Sequence, residues 1–212
     1  TIYNGVKRLP FNPIKRPYEM YLSVGASMDS GKTTTAAFLS RGFMMQKKKV
    51  AFIKLTGTVF AKDCSIVRDC GAKTAIDFSY CGYPSTFLHK TDEILDIFET
   101  LLHRVEIINP EIADGLLQRE TKALINYEPF MNMIDGTLLS CANSLSVKSG
   151  IDMLTKINQK PMLVSGMFTA SPLMANEVRN ETDIPVFTLE DFTNKMSFGC
   201  IFPNVKELIS VE

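Results

Sequence analysis

The sequence predicts an α/β domain built on a doubly wound, mostly parallel sheet, and three observations carry that expectation. A buried-strand pattern at Tyr21, Leu22 and Val24 runs into a glycine-bounded loop, and a helix opens at Gly31-Lys32-Thr33-Thr34. A second apolar run, Val50-Ala51-Phe52-Ile53-Lys54-Leu55, follows that helix, the order of a right-handed strand-helix-strand crossover. Strand and helix patterns then alternate to about Phe192, the rhythm of a parallel sheet with helices on both faces.

The rest is organised around residues 18–35, YEMYLSVGASMDSGKTTT. Gly25 and Gly31 are six positions apart, so the loop is G-x5-G-K-T; the commoner GxxxxGK[ST] pattern would begin at Ala26. A strand before and a helix after are the context that makes such a loop a phosphate site. Backbone N–H groups of the loop and the helix N-terminus converge on a polyphosphate, Lys32 reaches its β/γ oxygens, and the Thr33 hydroxyl takes a Mg²⁺ site. The candidate nucleotide-binding residues are Gly25, Asp29, Ser30, Gly31, Lys32, Thr33 and Thr34, and the expected fold is that of P-loop NTPases.

Composition narrows the class. With 212 residues, 45% hydrophobic and 22% charged, the chain is long enough for one substantial core. Lys+Arg and Asp+Glu are both 23, so no net field draws it toward nucleic acid or an anionic membrane. Lys47-Lys48-Lys49 reads as a solvated turn. No apolar run approaches the ~18 residues of a spanning helix and no signal-peptide pattern opens the chain, so the expected location is cytoplasmic, with no membrane partner. Five cysteines, Cys64, Cys70, Cys81, Cys141 and Cys200, match neither a disulfide framework nor a CxxC knuckle and read as reduced thiols.

In chain order, residues 1–17 carry three prolines in a polar stretch and read as an arm or linker, with residues 18–212 as the nucleotide-binding domain. A domain preceding Thr1, and a homodimer, stay open. The first helix runs to about Gln46. Lys54 stands where the second strand emerges, on the edge where open α/β sheets bind ligands; it is either a solvated charge or part of the site. Residues 61–71 are helical, with Asp63 in the first turn, where a carboxylate suits the helix N-terminus as readily as a metal. Residues 74–78 read as a strand, and the loop SYCGYPSTF suits a substrate-facing lid or an ordinary crossover. A helix from Thr91 places Ile94, Ile97, Phe98 and Leu101 on one face.

Residues 105–108 are expected as strand, and 111–115 as a strand end leading into a helix near Leu116. Pro110 is awkward within a central strand because it cannot donate to the ladder. Glu111 and Asp114 are the acidic residues placed to face the phosphate loop as metal ligand or base. Strand 137–142, a helix from Leu145, strand 162–167, a helix to about Glu181 and a last strand over 184–189 complete the pattern. No NKxD-type guanine signature is present; Asn143 and Thr169 lie on late loops within reach of a base.

The loop GASMDSGKT, the strand end AFIKLTGT and the acidic turn EIADG together resemble dethiobiotin synthetase and related amidating and carboxylate-activating enzymes, in order over most of residues 18–192. The resemblance implies ATP and Mg²⁺ as cofactors and a small-molecule carboxylate or carbamate that is phosphorylated and then attacked by a nucleophile. It implies Lys32 and Thr33 on phosphate and metal, Lys54 on the transferred phosphate or substrate, and Glu111 with Asp63 as metal ligands; Asp114 stands as the candidate proton acceptor. Leu55 replaces that family's proline, and Ile112 and Asp114 stand where it has glycines. A nucleotide-dependent switch or chaperone acting on a protein partner is the alternative function.

Overall fold

The computed structural model describes residues 6–105 and 109–203, except the side chains of residues 109–114. Its elements in order are β1 (Tyr21–Gly25), α1 (Lys32–Met45), β2 (Ala51–Lys54), α2 (Ala61–Asp69), β3 (Thr74–Asp77), α3 (Thr91–Leu102), β4 (Asn109–Gly115), α4 (Arg119–Ile125), α5 (Glu128–Met131), β5 (Gly136–Ser140), α6 (Ser144–Lys156), β6 (Leu163–Ser165), α7 (Pro172–Glu181), α8 (Leu189–Thr193) and α9 (Lys195–Ile201). The strands form a six-stranded sheet in the order β3-β2-β4-β1-β5-β6, parallel at every pairing. The expected doubly wound α/β architecture is present.

Strand alternation explains why both faces are covered. Leu22 and Val24 of β1 join Ile53, Leu139 and Val164 in the larger core, beneath α3 to α7. Tyr21, one step out of phase, joins Leu39 and Phe43 of α1 with Phe192, Phe198 and Phe202 on the opposite face. There the Tyr21 and Phe43 rings stack at 5.3 Å, and Phe198 and Phe202 meet edge-on and tilted around Phe43. Phe52, Ala36 and Ala37 pack α1 and α2 against the β2 end of the same face. Among the described residues no helix is long and apolar enough to cross a membrane.

Three expectations about elements need correction. β4 is described from Asn109; of the strand expected at 105–108, Val105 is not in a strand and 106–108 lie outside the described residues. Pro110 sits inside β4 after all. It is opposite Ile53 of β2, while pairing with β1 begins only at Glu111, so the missing donor falls where β4 has a neighbour on one side. The helix expected near Leu116 starts at Arg119, because Leu116 N still donates to Gly25 O at 2.9 Å and Gln118 serves as its N-cap. Residues 184–189 make one bridge, Val186 with Val164, before Thr188 and Asp191 form a capping box that opens α8.

The described part of the arm has no helix or strand and lies on α3. Leu9 N donates to Thr100 Oγ1 (2.8 Å), Phe11 N to Asp96 Oδ1 (2.9 Å), and Arg16 Nη2 to the buried Glu99 Oε1 (2.6 Å). Side chains of one helix thus take donors that a segment outside a sheet would otherwise leave to water.

Candidate functional site: the phosphate loop and its two cavities

The β1–α1 loop is tight enough to dictate its residues. A Cβ added to Gly25 would lie 2.3 Å from Ser30 Oγ and 2.7 Å from Lys32 Cδ, and Gly31 caps α1 in the left-handed region at φ 91°. Asp29 also has positive φ, 53°. Gly31 brings no side-chain cap, and the first turn of α1 holds no acidic residue, so the amides of that turn receive no side-chain cap from the N-cap position. Lys32 is buried to 8% exposure, and its Nζ donates to Ser27 O at 2.9 Å. The Ser30 hydroxyl is fully buried without a hydrogen-bond partner. A loop that curls around a lysine, ends on an uncapped helix and leaves a buried hydroxyl unpaired has the donor set that a phosphate group needs.

Other strands brace this loop. Ala26 N donates to Ser140 O at the end of β5, and Met167 N donates to Ser30 O (3.1 Å). Gly166, at φ 113°, approaches so closely that a Cβ there would lie 2.3 Å from Ser30 O; one on Gly115 would lie 2.9 Å from Ser27 Cα. Gly115 closes the EIADG turn already singled out in the sequence, whereas Gly166 does not stand out there: its only signal is a glycine directly after a short strand, which many turns share.

Two cavities flank α1's N-terminus. One, of about 530 Å³, lies toward α2 and is lined by Asp29, Lys32, Thr33, Phe60, Lys62 and Asp63. The other, of about 410 Å³, lies toward β6 and α8, with Thr34, Thr35, Gly166, Thr169, Pro172 and Glu190 on its wall. Thr169 therefore lines a cavity beside the loop. Asn143 is absent from both walls: its side chain accepts from Ser146 N and caps α6.

Lys54 ends β2, opposite Asp77 of β3 and Glu111 of β4. Its side chain is 5% exposed, pairs with Asp63 and donates to Thr58 O at 2.8 Å. Lys32, Thr33 and Asp63 thus share one cavity wall, and Lys54 reaches it through its partner. Next to this pair, burial and then the Asp77 carboxylate push the Cys64 thiol up to about 12. The register from β1 to β4 shifts, a step from Ser23 to Gly25 on β1 matching one from Glu111 to Gly115 on β4, an irregularity at the loop's own edge. The side chains of Glu111 and Asp114, proposed from the sequence as ligand and base, lie outside the described residues. Among the described residues no three His, Cys, Asp or Glu side chains gather as a metal cluster.

The loop after β2 meets the loop SYCGYPSTF. Thr58 bridges Ser85, Gly57 N donates to Thr86 Oγ1 (2.8 Å), Thr86 N to Gly57 O (2.9 Å) and Val59 N to Pro84 O (3.0 Å). Arg119, itself exposed, donates to the buried Glu120 Oε1 (2.8 Å) and to His89 O (3.1 Å), and the same carboxylate accepts from Leu88 N at 2.8 Å.

No protein-family model matches the chain, and no curated protein matches it. Solved structures do. The signal recognition particle receptor FtsY from Elizabethkingia anophelis, in complex with GDP, is 14% identical at TM-score 0.52, over 92% of this chain and 66% of that one. The chain has the P-loop NTPase fold. A ParA family ATPase from Chlorobium tepidum TLS (11% identical, TM-score 0.47, 88% of this chain and 93% of that one) is also similar. So is the hydrogenase maturation factor HypB from Archaeoglobus fulgidus (14%, 0.49, 87% of each). None of these singles out dethiobiotin synthetase.

Proposed function

We propose that the chain binds a Mg²⁺–nucleoside triphosphate, taken here as ATP, on residues 25–34, and uses it to phosphorylate a small carboxylate or carbamate that a nucleophile then attacks. The observation that carries the reading is the buried Lys32 inside a loop whose Gly25 leaves no room for a Cβ, beside the unpaired Ser30 hydroxyl. When bound, the nucleotide supplies an activating phosphoryl group. Lys32 holds phosphate oxygens, exchanging the Ser27 carbonyl for a charged acceptor, and Thr33 with Asp63 offers oxygen ligands to Mg²⁺, which needs only one or two carboxylates. Glu111 is the further ligand proposed. Lys54 orients the acceptor's carboxylate, and Asp114 takes a proton from the nucleophile.

One observation favours the alternative, a nucleotide-dependent switch. The Lys54 amine is already satisfied by Asp63 and the Thr58 carbonyl, so a terminal phosphate drawing on either partner would shift the loop between β2 and α2. Calorimetry with ATP and Mg²⁺ tests the shared part of both readings. Lys32→Ala should weaken binding about 10- to 150-fold, the loss of a charge-assisted contact worth about 1.5–3 kcal/mol. Absence of binding by the wild-type chain, or equal binding by the variant, would refute it. Hydrolysis stimulated by small carboxylates or amines then favours the enzyme, and stimulation by another protein alone favours the switch.

A further inference from the structure

The arm and the Lys54 site are joined by a continuous run of contacts. Residues 57–59 and 84–86 form a two-stranded strap held by the Thr58–Ser85 bridge and the three backbone-donated bonds around it. At one end of the strap, the Thr58 carbonyl accepts from Lys54 Nζ. At the other, Tyr83 precedes Pro84 and sets its ring edge-on against His89, centroids 4.8 Å apart. Arg8 of the arm places its guanidinium carbon 5.8 Å from the Tyr83 centroid.

Arg8 meets both this ring and the Glu93 carboxylate. Its Nη1 is buried without a hydrogen-bond partner, and the Glu93 Oε1 near it is 3.9 Å away. The seat is fixed from both sides. The arm is anchored on α3 through Leu9 and Phe11, while the loop beyond Tyr83 is anchored by Leu88, which has positive φ and donates to Glu120 Oε1 at 2.8 Å.

We propose that Arg8 is a positioning residue: seated on Tyr83, it clamps the strap and thereby fixes the carbonyl that orients Lys54. The effect on turnover rests on the reading that Lys54 works at the nucleotide site; the mechanical link does not. A clamp of this kind makes the arm a control element, because whatever lifts it loosens Lys54 without touching the phosphate loop.

The test follows hydrogen exchange at the amides of Gly57, Val59 and Thr86 in the full chain, alongside calorimetry and turnover with ATP and Mg²⁺. A cation on a partly exposed ring accounts for about a two- to fivefold change, so Arg8→Ala should speed exchange at these amides by about that factor. Arg8→Lys, which keeps the cation, should restore it, and Tyr83→Leu should reproduce the loss. Nucleotide affinity should stay at the wild-type value while kcat falls. Unchanged exchange in both Arg8→Ala and Tyr83→Leu would overturn the clamp, as would equal acceleration along α3, which marks general loosening. Faster exchange with unchanged kcat would overturn the link to Lys54. A wild-type chain that binds no nucleotide would sink the proposed function and leave the exchange result to decide the clamp.

Discussion

Gly25→Ala puts the geometry of the phosphate loop to a direct test. The added methyl would lie 2.3 Å from Ser30 Oγ, 2.7 Å from Lys32 Cδ and 2.8 Å from Lys32 Cγ, all closer than carbon normally comes to a non-bonded atom. Ser30 is fully buried and Lys32 is 8% exposed, so neither can swing into solvent to make room. Forced overpacking of this sort costs about 1–3 kcal/mol. For a chain of this length each kcal/mol lowers Tm by about 2–4 °C, so thermal unfolding should shift down by about 2–12 °C. Displacing the Lys32 stem also displaces its amine, so nucleotide affinity should fall with stability. Gly199→Ala is the control. A Cβ there meets nothing within 4 Å on an exposed face of α9, and the change should be neutral or stabilise by up to about 1 kcal/mol. Scanning calorimetry of both variants, with ATP titration of each, decides it; wild-type Tm and affinity in the Gly25→Ala protein would refute the description of the loop.

Two more outcomes follow from the titratable groups. Burial pushes the Cys64 and Cys141 thiols up to about 12, leaving about one part in ten thousand as thiolate at pH 8, while Cys200 is exposed; iodoacetamide should therefore label Cys200 first in the folded chain, and equal labelling of Cys64 or Cys141 by mass spectrometry would contradict the burial. The Lys90 backbone N–H holds the Glu93 carboxyl below its ordinary range. A lowered folded value contributes stability above the unfolded pKa of about 4.3, lost as pH falls through the folded one, so Glu93→Gln should flatten the acid limb of Tm against pH and an unchanged limb would count against the cap.

What could be read from the sequence depended on how locally each feature is encoded. β1, β2, β3 and the long helices announce themselves through apolar periodicity, and the loop through glycine spacing with a strand and a helix on either side. β4 does not, because Asn109-Pro110-Glu111 looks like a turn; only its place between β2 and β1 makes it a strand. α8 and α9 are short, and Pro185 within an apolar run read as a strand although the capping box at Thr188 and Asp191 was visible. In the site, Lys32, Thr33 and Asp63 were legible one by one. Their convergence on one cavity, and the approach of Gly166 to Ser30, come from chain segments that only the sheet order brings together.

The Lys54–Asp63 pair is the clearest case of a feature that stability does not explain. With side chains 5% and 19% exposed, both charges give up much of their hydration, and such a pair is often no better for folding than apolar residues of equal size. Removing one partner is another matter, since it leaves an uncompensated charge at the end of β2 and costs about 3–5 kcal/mol. An apolar pair would hold α2 against β2 equally well. What it would not provide is a carboxylate on the wall of the phosphate-loop cavity, tied through a lysine to the carbonyl of a strap that reaches the arm. The carboxylate thus lies on the cavity wall beside the β1–α1 loop, where on the proposed reading a bound anion and its metal would feel it.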